Sequence, residues 1–149
     1  MAKYKKVLLA VDLTASSEHI IEKAMQVVTD NGAELLLAHV NEPVVTAYQA
    51  SGMAGWSTQV VSLDEQVREI AEQKMDALAT RLGVPAENCF LPFGKAATEI
   101  KRLAEEEDVD LIIMGTHGRH GLGLMLGSTA NGVLHGVNCD VLAVRASDD

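Results

Sequence analysis

Val109-Asp110-Leu111-Ile112-Ile113-Met114-Gly115-Thr116-His117-Gly118-Arg119-His120-Gly121-Leu122-Gly123-Leu124-Met125-Leu126-Gly127-Ser128-Thr129 is the stretch on which the reading of the fold turns. It opens with a mostly apolar run, Val109 to Met114, of the length and character of a buried strand. It closes on a Ser-Thr pair of the kind that caps a helix. Between them lie glycines, which let a backbone take positive φ and approach a ligand closely, while a helix N-terminus offers unpaired N–H groups to an anion. The chain carries 21 Asp and Glu against 12 Lys and Arg, a net charge of −9, yet no acid falls between Leu111 and Cys139, and His117, Arg119 and His120 sit inside the glycine stretch. An anion placed here would meet little repulsion. The same glycines would also serve a sheet that merely has to turn sharply. Two phosphate motifs are excluded: Gly127 is followed by Ser128 rather than the P-loop lysine, and the glycines follow a late strand with a spacing foreign to the dinucleotide fingerprint.

Working outward, the chain repeats this strand-then-helix unit. Val7 to Val11 is a continuous apolar run that ends at Asp12; Thr14, Ser16 and Ser17 can cap a helix with Ile20, Ile21, Ala24, Val27 and Val28 on one stripe, and Asn31-Gly32 stops it. Leu35 to Val40 is a second buried strand. Residues 42–62 lose the pattern, and Val44 to Val61, around Tyr48 and Trp56, is expected to be a mobile flap. Ser62-Leu63-Asp64-Glu65 has the form of a capping box for a helix with Val67, Ile70, Ala71, Met75, Leu78 and Leu82 inward, closed by Gly83-Val84-Pro85. Asn88 to Phe93 reads as a third strand. Gly94 and Lys95 precede a helix with Ala96, Ala97, Ile100, Leu103 and Ala104 on one face; its acidic end, Glu105 to Asp108, opposes the macrodipole and is expected to fray. After the glycine stretch come a short helix, about Ser128 to His135, and a last strand, Val141 to Val144.

Strands alternating with helices, each strand mostly apolar, imply an α/β fold with a parallel sheet covered by helices on both faces. In such sheets ligands sit at the carboxyl ends of strands, where the winding reverses. The glycine stretch, Asp12 and Val40 all stand at such ends. The chain's 149 residues suit one domain spanning 1–149, and a composition of 48% hydrophobic but only 3% aromatic residues calls for an aliphatic core. The negative charge argues against nucleic acid or an anionic membrane as partner. Cys89 and Cys139 lie far apart in apolar runs, as free thiols of a cytosolic protein do. The basic start is followed by an apolar run that Asp12 cuts too short for export or spanning.

Val7-Leu8-Leu9-Ala10-Val11-Asp12, the strand end His39-Val40, Gly115-Thr116-His117-Gly118-Arg119 with Leu126-Gly127-Ser128-Thr129, and the closing Cys139-Asp140-Val141-Leu142-Ala143-Val144-Arg145 together resemble the universal stress protein family, over essentially the whole chain. The resemblance implies a Rossmann-like, adenine nucleotide alpha-hydrolase-like fold: one open five-stranded parallel sheet of order 3-2-1-4-5. It further implies a cytosolic homodimer, induction under stress and, in one branch, ATP held by the pattern G-x2-G-x9-G-[S/T]. Carried over by position, Ala10, Asp12 and Val40 would flank the adenosine, with Asp12 accepting ribose hydroxyl hydrogens and Val40 contacting adenine. Gly115, beside Met114, would sit against the ribose or α-phosphate, and Gly118, Arg119, Gly127, Ser128 and Thr129 would hold phosphates. One departure bears on the last group: eight residues, not nine, separate Gly118 from Gly127. The cradle is then tighter or altered, and ADP or AMP competes with ATP as the ligand. A second branch lacks the glycines and is not expected to bind ATP.

Other chemistries fit less well. His135 and Cys139 have a ligand-like spacing, but no second pair completes a four-ligand zinc site, and no metal is expected as a resident group. Asp12 could meet Mg²⁺ beside a phosphate, although a lone carboxylate closing a strand also serves as a turn residue. G-x-S-x-G is absent around Ser128, so no catalytic residue is assigned. A regulatory nucleotide-binding protein is the leading expectation, with a ligand-free interaction protein and a slow ATPase as alternatives. The apolar last strand, Val141, Leu142, Ala143 and Val144, should be a sheet edge that pairs with a second copy.

Overall fold

The computed structural model describes residues 3–13, 18–42, 57–116 and 127–145. Strands β1 (Lys6–Ala10), β2 (Glu34–Ala38), β3 (Cys89–Phe90), β4 (Leu111–Gly115) and β5 (Asp140–Val144) form one parallel sheet in the order β3-β2-β1-β4-β5. The winding reverses beside β1, which pairs with β2 on one side and β4 on the other. Helices α1 (Glu18–Asn31), α2 (Ser57–Leu82), α3 (Ala96–Glu106) and α4 (Ser128–Leu134) follow β1, β2, β3 and β4 in turn.

Side-chain alternation along the strands divides the core into two layers. Val7, Leu9, Leu35, Leu37, Leu111 and Ile113 face α1 and α2, where Ile20, Ile21, Ala24, Met75 and Leu78 cover them. Leu8, Leu36 and Ile112 face α3 and α4, against Ala97, Ile100, Leu103, Ala104, Ala130 and Val133. Uninterrupted apolar strands follow from this: Val7, Leu8 and Leu9 are all fully buried because both faces of β1 are covered.

Helices α1, α2 and α3 end in one way. Gly32, Gly83 and Asp108 take φ of +61°, +71° and +53°, and the next amide returns to a carbonyl of the last turn: Ala33 to Val28, Val84 to Ala79, Val109 to Ala104. The acidic end of α3, expected to fray, is closed by this turn and by Arg102, which bonds Glu99 at 2.7 Å and Glu106 at 2.8 Å. Opposite charge one turn away offsets the unfavourable dipole.

The expected flap shortens from its far end. Helix α2 already runs from Ser57, so Ser62-Leu63-Asp64-Glu65 lies inside the helix and does not open it. Residues 43–56, with Tyr48 and Trp56, lie outside the described residues. Val67 and Ile70, expected inward, are 47% and 52% exposed, whereas Ala71, Met75 and Leu78 are buried. The cause is length: a helix of 26 residues extends about 39 Å, while strands of five residues cover roughly 17 Å. Its first half overshoots the sheet. The third strand contracts to Cys89–Phe90 because Asn88 belongs to a short 3-10 turn, Ala86–Asn88, and Pro92 has no N–H for a ladder; Phe93 makes only an isolated bridge to Asn41.

Candidate functional site

A cavity of about 210 Å³ opens at the carboxyl ends of β1, β2 and β4, at the point where the winding reverses. Small side chains make it. Ala10 and Ala38 are register partners at the last pair of the β1–β2 ladder, and Ala96 of α3 and Ala130 of α4 stand over them, where leucines would fill the space. Val40, Ile100 and Met114 complete an apolar lining, and among the described residues Asp12 is the only acid in it.

Ala10, Asp12, Val40, Met114, Gly115, Gly127, Ser128 and Thr129, all expected from the sequence at a ligand, line this one cavity. Gly118 and Arg119, with the rest of residues 117–126, lie outside the described residues. Gly127 differs from expectation in one respect. Its N–H donates to the Thr116 carbonyl at 2.6 Å, joining the two ends of the glycine stretch, so it is not a donor for a phosphate. Ser128 and Thr129 are likewise not caps: Gly127 is the N-cap residue, without a side-chain capping bond, and the two are the first residues of α4. The first intrahelical bond runs from Asn131 N–H to the Gly127 carbonyl at 2.9 Å, which leaves the amides of Ser128, Thr129 and Ala130 without an intrahelical acceptor at the cavity wall.

The wall supplied by α3 depends on two local features. Gly94 takes φ +142°, open chiefly to glycine, and turns the chain into the helix. The Glu42 carboxylate then accepts the Ala96 amide hydrogen at 3.2 Å, capping α3 from the end of β2 where Lys95 offers no side-chain cap. Val11, Ile20, Ala38, His39, Ala96, Ile100, Thr116 and Ala130 also line the cavity and were not singled out from the sequence as ligand-facing. Only His39 carried a signal, as the polar end of an apolar strand. The alanines carried none, because an alanine marks a cavity only when its neighbours in space are known. Among the described residues no group of three or more His, Cys, Asp or Glu is gathered so as to hold a metal ion, and no helix is long and apolar enough to cross a membrane.

A sequence model of the universal stress protein family matches residues 3–145. The chain belongs to the universal stress protein family. Its members are stress-response proteins, and curated relatives agree in length as well as sequence. Universal stress protein A homolog 2 of Coxiella burnetii is 39% identical over 146 residues, 97% of either chain, and homolog 1 of the same organism is 37% identical over 142 residues, 95% of this chain and 96% of its own. Among solved structures, hypothetical protein MJ0577, the subject of a structure-based assignment of biochemical function, superposes with a TM-score of 0.79 at 27% identity, covering 98% of this chain and 99% of its own. A universal stress protein in complex with cAMP shares the fold at 22% identity, with a TM-score of 0.59 and coverage of 97% and 98%. The sheet order observed here is the one that the family resemblance implied.

Proposed function

We propose that this universal stress protein binds an adenine nucleotide at the carboxyl edge of its sheet as a regulatory ligand. The observation that carries the reading is the convergence of Ala10, Asp12, Val40, Met114, Gly115, Gly127, Ser128 and Thr129 on one crevice. Its chemistry suits the ligand. An apolar floor of Ala10, Ala38, Val40 and Met114 accepts a flat base, the Asp12 carboxylate accepts ribose hydroxyls, and the first-turn amides of α4 meet a phosphate. A universal stress protein of the same fold in complex with cAMP supports an adenine nucleotide as the ligand class. The cavity takes the nucleoside, and further phosphates extend past Gly127, with Mg²⁺ as their companion when present.

The nucleotide acts by binding, with little or no turnover, in a cytosolic homodimer. The two free cysteines, Cys89 and Cys139, suit a reducing compartment. Strand β5 pairs only with β4 among the described residues, and its half-buried Val141, Leu142 and Ala143 leave an edge that a two-fold related β5 can cover. Calorimetry with AMP, ADP and ATP, with and without Mg²⁺, tests the reading. Saturable heat that disappears in Ala38→Leu, which fills the floor, is the expected result. Absence of heat with all three nucleotides at millimolar concentration refutes it and favours a ligand-free interaction protein.

A further inference from the structure

We propose that His39 is a positioning residue for the nucleotide: its ring holds the Val11–Asp12 peptide so that the Asp12 carboxylate is presented to the ribose. The inference rests on the adenine-nucleotide reading above and adds a residue to it. The β1–β2 ladder ends at the Ala10–Ala38 pair, where the Val11 N–H reaches the Ala38 carbonyl at 2.9 Å. Beyond that point the strands part, and among the described residues no backbone amide serves the Val11 carbonyl. The His39 ring does so, with Nδ1 2.8 Å from the Val11 oxygen. A carbonyl only accepts, so Nδ1 carries the proton. The backbone that carries the ring is itself held on the β3 side, because the His39 N–H donates to the Phe90 carbonyl at 3.0 Å.

A peptide unit is planar, so holding the Val11 carbonyl also sets the Asp12 N–H and the direction in which the Asp12 Cα leaves the plane. The following residue, Leu13, has φ +59°, a region that a residue with a branched side chain seldom enters. Asp12 is thus held between a pinned peptide and a sharp turn, and both Asp12 and His39 line the cavity. Without the ring, the carbonyl of the buried Val11 loses the donor it has among the described residues; rotating that peptide toward another donor would swing Asp12 with it.

The experiment compares AMP with 2′,3′-dideoxyadenosine monophosphate, which keeps base and phosphate but lacks the hydroxyls that Asp12 would accept. Calorimetry on the wild type is expected to give a preference for AMP of about tenfold or more, the weight of one hydrogen bond to a charged group. His39→Leu should bind both ligands as the wild type binds the dideoxy form. His39→Asn, whose amide N–H stands near the place of Nδ1, should recover the preference. His39→Gln, whose amide stands near the place of Nε2, should not, and this pair decides the matter if the leucine variant does not fold. A merely structural role would weaken both ligands together and leave the ratio unchanged. Preference retained in His39→Leu or His39→Gln overturns the inference, as does equal binding of the two ligands by the wild type. No AMP binding by the wild type overturns the nucleotide reading and this inference with it.

Discussion

Gly132→Ala tests the packing that shapes the cavity. Gly132 lies in α4 where that helix crosses α3, and a Cβ added there would stand 2.7 Å from the Cβ of Ala97. Carbon atoms rest about 3.5–4.0 Å apart, so the two helices must separate by roughly 1 Å. Overpacking of this kind costs about 1–3 kcal/mol, while replacing glycine by alanine within a helix returns about 1 kcal/mol. The net expectation is a destabilisation of about 1 kcal/mol, which lowers Tm by about 2–4 °C for a chain of this size. Ala97→Gly by itself loses a helix-favouring methyl and its burial, about 2 kcal/mol together. In that background the clash is gone, so Gly132→Ala should change sign and stabilise by about 1 kcal/mol. Urea denaturation of the two single variants and the double variant reads the cycle, with an expected coupling of about 2 kcal/mol. Additivity to within about 0.5 kcal/mol would refute the close approach of α3 and α4. Because Ala96 and Ile100 of α3 and Ala130 of α4 line the cavity, Gly132→Ala should also weaken AMP binding, and the double variant should restore it.

Further expectations concern the same framework. Ala143→Lys on β5 should convert a dimer to a monomer in light scattering with little change in far-ultraviolet circular dichroism, and an unchanged dimer would place the interface elsewhere; Val144 is unsuitable for this test because it is buried within its own protomer at 5% exposure. Ile70→Lys, at a half-exposed site on the overshooting part of α2, should shift stability by no more than about 0.5 kcal/mol. Burial raises both thiols above their ordinary value of 9.0, helped by Asp76 at Cys89 and by Asp140 and Asp110 at Cys139. The unfolded chain therefore gives up these protons first, and stability should fall as pH rises through 9.0 toward the folded values. Denaturation midpoints of Cys89→Ala and Cys139→Ala across that range should each decline less steeply than the wild type, and parallel declines would count against the assignment.

The sequence by itself determined the alternation of strands and helices, the parallel sheet and the positions at strand ends from which a ligand would be met. Those properties are local in origin: apolar runs bounded by Asp12, Asn41 and Gly115, and glycines at 32 and 83 that close helices wherever they pack. The family resemblance, carried above all by Gly115 to Thr129, supplied the sheet order and half of the cavity lining. Tertiary structure decided what depends on relative length and on neighbours in space. The helical spacing of Val67 and Ile70 looked inward, yet these residues are exposed because α2 is longer than the sheet it covers. Gly127 looked like a phosphate donor, yet its amide is spent on Thr116, a partner that the returning chain brings to it. Three of the four alanines that make the cavity, at 38, 96 and 130, went unmarked, and they come from three different elements. An absent side chain leaves a space only after folding has set its neighbours around it, and no periodicity along the chain records that.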